Sequence, residues 1–134
     1  MTKINIDLTS TITQGDDTET FHKNATGEIE ISDQAIRISY LEDGEIPVKM
    51  LLKDKELILR RGVDHNNYSL LKFTPGEKKA CRYVAAGRQM DLTSVTNLLE
   101  FVDQNDNSQK LQVEYDLFSG LYLVGNYTVT LIFT

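Results

Sequence analysis

The sequence predicts an all-β fold, with residues 1–134 forming one antiparallel up-and-down β-barrel of about 8–10 strands. Three observations lead there. Apolar residues alternate with polar ones in run after run, and residues two apart in a strand share a face, so each run has one buried and one wet side. Turn-forming clusters separate the runs at short intervals and leave no long helical crossover. Alternation also starts by Ile4 and persists to Phe133, beside the C-terminus. Chain ends fray unless a sheet holds them, and two half-buried end strands that pair remove the edges of an open sheet.

Taken in order, Ile4, Ile6, Leu8 and Ile12 alternate with Asn5, Asp7, Thr9 and Thr11. Ile36, Ile38 and Tyr40 follow, opposed by Arg37 and Ser39, and "EDGE" at 42–45 then places Asp43-Gly44 between two alternating runs, a hairpin signal. Ile46, Val48, Met50 and Leu52 make the next row, with Lys49 and Lys53 on its other face, and "KDKE" breaks it. In "LILRRG", Leu57, Leu59 and Arg61 share one face while Ile58 and Arg60 share the other. "DHNN" at 64–67 and "TPGEKK" at 74–79 are turns, the second with proline fixing φ and glycine accepting a positive one. Cys81, Tyr83 and Ala85 share a face. "MDLTSVTNLLEFV" has helical spacing at Leu92, Val95, Leu99 and Val102, but Thr93 to Asn97 are poor helix formers, so a strand bulged near Asn97 is expected. After "QNDNSQ", Leu111, Val113, Tyr115 and Leu117 form a row, and Tyr127, Val129, Leu131 and Phe133 close the chain.

Composition narrows the class. A chain of 134 residues with 40% hydrophobic and 25% charged residues is globular and large enough to bury a real core. Cys81 is the single cysteine, so no internal disulfide forms and a reducing compartment is expected. "MTKINIDLTSTIT" lacks the unbroken apolar core of a signal peptide, and no run approaches the roughly 18 apolar residues of a membrane helix. The expectation is a cytoplasmic protein with no membrane association. The net charge of −6 disfavours non-specific attraction to DNA or anionic membranes. That charge is uneven: from Lys49 to Arg88 ten of the 14 bases stand against four acids, a local balance of +6.

The segments "IRISYLEDG", "VKMLLKDKELILRRG", "LLKFTPGEKKACRYVAAG" and "LQVEYDLFSG" appear in that order from about residue 36 onward. In order and spacing they resemble the YwiB-like family of small bacterial proteins. The resemblance implies a calycin-like, lipocalin-type barrel with no assigned biochemical role. Its arginine, one residue and glycine fall on Arg60, Arg61 and Gly62, its phenylalanine and glycine on Phe73 and Gly76, and its tyrosine, three residues and glycine on Tyr83 and Gly87.

The chemistry-bearing residues point away from catalysis. The two histidines, His22 and His65, lie in no nucleophile, metal or phosphate-loop motif, and Cys81 reads as a small core residue. No enzyme, metal or cofactor is expected. Tyr68, Phe73 and Tyr83 interleave with Arg60, Arg61, Lys72, Arg82 and Arg88, as in single-strand nucleic-acid binders, yet the acidic total disfavours phosphate partners.

Two readings of function remain. In the first, the barrel binds a small amphipathic or anionic molecule, with Arg60, Arg61, Arg82 and Arg88 as anion contacts and Tyr83 lining the pocket. In the second, the basic band docks an acidic protein partner, or the chain forms a homodimer, with apolar residues on wet faces (Leu51, Ile58 and Ile132) in the interface. Only one of the two adjacent arginines can point into the barrel. The leucine row selects Arg61 and the family pattern selects Arg60. An inward arginine needs a partner, expected to be a carboxylate such as Glu28, Asp91 or Glu114, or an anionic ligand. Gly62 is expected to let the strand end turn sharply.

Overall fold

The alternating runs become strands in the computed structural model, which describes residues 2–134. They are β1 (Thr2–Gln14), β2 (Asp17–Ile31), β3 (Ile36–Glu42), β4 (Ile46–Lys53), β5 (Glu56–Asp64), β6 (Asn67–Phe73), β7 (Lys78–Ala85), β8 (Arg88–Asp103), β9 (Gln109–Ser119) and β10 (Tyr122–Phe133). Each strand pairs antiparallel with the next, and β1 pairs with β10, so the sheet closes into a ten-stranded up-and-down barrel. The early start and late end of alternation are explained by that closure, in which Ile6 stands opposite Phe133 and Ile12 opposite Tyr127.

Period-two patterning decides what fills the barrel. Ile6, Ile38, Val48, Leu57, Phe73, Leu111, Leu131 and Phe133 are nearly or fully buried and belong to one apolar cluster. Tyr115 packs within it, 4.3 Å from Phe73 between ring centroids and stacked on Tyr127 at 4.9 Å. Cys81 lies in the same cluster, as its face predicts. The doubtful stretch is indeed strand β8, with a bulge between Thr96 and Leu98 that absorbs the break in alternation.

Two seams are thin. β2 pairs with β3 only from Gly27 to Ile31. β6 pairs with β7 only through Tyr68–Val84, Ser69–Tyr83 and Leu70–Arg82. Below those pairs, side chains take over from the ladder: the Ser94 hydroxyl donates to the Lys72 carbonyl at 2.6 Å, and the Lys72 N–H points at the Cys81 sulfur at 3.4 Å. A buried backbone group without a partner is costly, so these side chains hold the seam closed.

Gly62 has another role than ending a strand. It sits inside β5 at a bulge, opposite Tyr68, with φ +151°. A Cβ there would lie 2.5 Å from the Tyr68 Cα, so only glycine lets β5 and β6 approach.

Candidate functional site

Strand register separates the two arginines. Arg61 is opposite Val48 and Ser69 on the inner face, while Arg60 is opposite Lys49 and Leu70 on the outer face. The leucine row therefore gave the correct inward residue. Arg61 does not meet any of the expected carboxylates. Glu28 pairs in register with Ser39, Asp91 with Arg82 and Glu114 with Thr128, all on the outer face. Its partner is Glu42, whose Oε2 accepts from both Nε and Nη2 of Arg61. Lys23 Nζ donates to Glu42 Oε1 at 3.1 Å and to Asp43 Oδ2 at 3.2 Å. Two cations thus share the largely covered Glu42 carboxylate, and Asp43, the second anion on Lys23, closes the charge balance of the mouth.

That cluster perturbs its neighbours. Burial pushes the Tyr40 hydroxyl up to about 12; the Glu42 charge adds to this and Arg61 opposes it. Lys23 is held above its ordinary value by its hydrogen bonds to Glu42 and then Asp43. Tyr83 lies on the inner face near the rim and is exposed. It joins Arg61, Ser69, Ile46 and Val63 around a recess of about 150 Å³, which brings together two of the five residues selected from sequence. This volume is below the roughly 300–1,000 Å³ of ordinary ligand sites.

The remaining candidates stand outside. The Arg60 guanidinium carbon lies 4.5 Å from the centre of the Tyr68 ring, and Arg82 Nη1 donates to the Tyr68 hydroxyl at 3.2 Å. Arg88 begins β8 opposite Ala85, exposed beside the β7–β8 turn. The five candidates therefore do not form one site.

A more complete constellation lies on the outer wall of β3–β5. A recess of about 360 Å³ is lined by Arg37, Ser39, Lys49, Leu51, Ile58 and Arg60, together with Ile38 and Met50. Strand pairing builds it. Arg37 stands opposite Leu51, which stands opposite Ile58; Ser39 stands opposite Lys49, which stands opposite Arg60. Leu51 and Ile58 are half-buried on the wet side. Among the described residues, Arg37, Lys49 and Arg60 form no ion pair, even though Glu30 stands opposite Arg37 across β2 and β3. Sequence reasoning missed Arg37 because it lies outside the basic band in sequence and joins it only through the β3–β4 hairpin. Its place on the wet face of "IRISY" was the available signal.

Among the described residues no group of three or more His, Cys, Asp or Glu is placed to hold a metal ion. No helix there is long and apolar enough to cross a membrane.

A family model described as "Domain of unknown function (DUF1934)" matches residues 6–131. The chain belongs to this family. The match also takes in β1 and β2, which precede the segments that carry the YwiB-like resemblance. The fold is similar to that of a solved structure, the ywiB protein from Bacillus subtilis, with a TM-score of 0.82 and 17% identity over 98% of this chain and 90% of that one. At that identity the likeness extends to the barrel and not to any site. No curated protein matches the chain.

Proposed function

We propose that this DUF1934 protein is a non-enzymatic cytoplasmic barrel that binds a small amphipathic anion on the outer wall of β3–β5. One observation carries this reading: three cations without ion-pair partners among the described residues surround an apolar floor in a recess of ligand size. Leu51 and Ile58 would take an apolar tail, while Arg37, Lys49 and Arg60 would take the charged head through charge-assisted hydrogen bonds. The mouth supports ligand binding less well, because Glu42 and Asp43 already neutralise Arg61 and Lys23. Larger grooves beside β1 and β2 are lined by Asn5, Asp7, Thr26 and Asp43 and lack a cationic cluster.

Octyl sulfate, below its micelle concentration, is the probe. Saturable one-to-one binding with amide shifts at Arg37, Lys49, Leu51, Ile58 and Arg60 is expected, with inorganic sulfate and octanol each far weaker. Arg60→Ala should weaken octyl sulfate about ten-fold or more, as for loss of one charged hydrogen bond. Shifts at the mouth, or no saturable binding, would overturn the reading. Native mass spectrometry of protein taken gently from its host then identifies the natural ligand.

One feature favours a second reading, an acidic protein partner. The outer row Lys49–Arg60–Leu70–Arg82 continues across β4–β7, further than one small molecule needs. Nucleic acid fits this wall less well, because the Arg60 guanidinium already covers one face of Tyr68, its ready stacking platform.

A further inference from the structure

The β1–β2 ribbon outruns the β2–β3 seam. β1 pairs with β2 without interruption from Thr2–Ile29 to Gln14–Asp17, whereas β3 covers β2 only from Gly27 to Ile31. From Asp17 to Thr26, β2 therefore has a strand neighbour on one side only. In an antiparallel ladder alternate residues turn both backbone groups to the same side, so this edge carries a row of unused donors and acceptors. Proteins usually blunt such edges with proline, a bulge, a covering segment or charged side chains. This stretch has no proline and no register shift, and its charges, Asp17, Glu19 and Lys23, are of both signs and so can pair with those of a second copy. Beside its last residues a groove of about 800 Å³, lined by Asn24, Ala25, Thr26, Leu41 and Asp43, lies between β2 and the β3–β4 turn, with Lys23 reaching across to Glu42 and Asp43.

We propose that this edge is a dimerisation surface, pairing antiparallel with the same edge of a second copy about a two-fold axis. The charge along the strand argues for a second copy. Asp17 and Glu19, preceded by Asp16 in the turn, make its first half acidic, and Lys23 follows His22 in its second half. An antiparallel copy sets each acidic half against the lysine half of the other; a parallel copy would set like against like. Centred on Phe21, the register places Glu19 opposite the partner's Lys23, Thr20 opposite the partner's His22, and Phe21 opposite the partner's Phe21. Phe21 is 44% exposed in the single chain and would be covered by its own copy. Lys23 rests on Glu42 and Asp43 but stays 39% exposed, within reach of a strand laid along the edge. The contact is isologous, so it closes at two chains and leaves no further edge to propagate.

Sedimentation velocity of the full chain over a concentration series tests the proposal, with circular dichroism confirming that each variant is folded. A monomer–dimer equilibrium is expected, weakened roughly ten-fold by Glu19→Lys, because the like-charge pair it creates occurs twice across the axis. Phe21→Cys should give a disulfide-linked dimer under mild oxidation, while the parent chain, whose Cys81 is buried, should not. A parent chain that stays monomeric at the highest attainable concentration would overturn the proposal. So would a dimer that ignores Glu19→Lys and is not captured by Phe21→Cys. Neither result bears on octyl sulfate binding, which reads a different wall.

Discussion

Arg61 on β5 reaches past β4 to Glu42 at the end of β3, and the pair lies on the inner face of the barrel mouth. Removing the arginine leaves Glu42 with Lys23 alone. Arg61→Met is therefore expected to destabilise the protein by about 1–2 kcal/mol, below the 3–5 kcal/mol of a fully buried pair because Arg61 is 44% exposed. Arg61→Met combined with Glu42→Gln should recover much of that loss. Urea midpoints of the three proteins decide it; a gain in stability from Arg61→Met alone would show that Glu42 is not its anchor.

Tyr40 makes stability depend on alkaline pH. Its folded value of about 12 lies above an ordinary tyrosine's 10. A raised value means that the unfolded chain ionises first, so the contribution is complete below pH 10 and fades as pH rises towards 12. Two units correspond to about 3 kcal/mol at most. Lys23 acts in the same direction, being held up by Glu42. Tyr40→Phe should flatten the stability profile between pH 8 and about 11. Parallel profiles for the two proteins would count against this account.

Ser94 and Thr96 are adjacent inward hydroxyls of β8, both buried, with opposite expectations. The Ser94 hydroxyl satisfies the Lys72 carbonyl, so Ser94→Ala should cost about 1–3 kcal/mol by opening the β6–β7 seam. Thr96 Oγ1 has no hydrogen-bond partner among the described residues. Thr96→Val keeps its shape and removes an unpaired polar atom, so a gain of about 1 kcal/mol is expected. Thermal melts of both variants check the signs, and two losses of equal size would contradict the contrast.

Gly62→Ala should be among the most damaging single changes in the middle strands. A methyl group would enter the Tyr68 backbone at a φ that side chains rarely adopt. A loss of about 2–4 kcal/mol is expected from the clash and the conformation together. The urea midpoint reads it; an unchanged midpoint would mean that β5 and β6 separate there without cost.

Much of the barrel was legible because a strand's side-chain period is two. The rows Ile36–Tyr40, Ile46–Leu52, Leu111–Leu117 and Tyr127–Phe133 state their inner faces outright, and Leu57, Leu59 and Arg61 state which arginine turns inward. Cys81 follows by the same rule. β2 was less legible, since Asp17 to Thr26 is almost wholly polar; an edge strand with one neighbour is not obliged to bury a side-chain row.

Partners across strands were the part that only tertiary structure decided. Alternation assigns a face to each residue but says nothing about how far one strand slides along the next. That slide, set by turn geometry and the bulges at Gly62 and Asn97, brings Glu42 rather than Glu28, Asp91 or Glu114 to Arg61. It also draws Arg37 into the recess with Lys49 and Arg60, while Arg82 and Arg88 fall elsewhere on the wall. Faces are local properties of the chain, whereas neighbours depend on closing a ten-stranded sheet on itself.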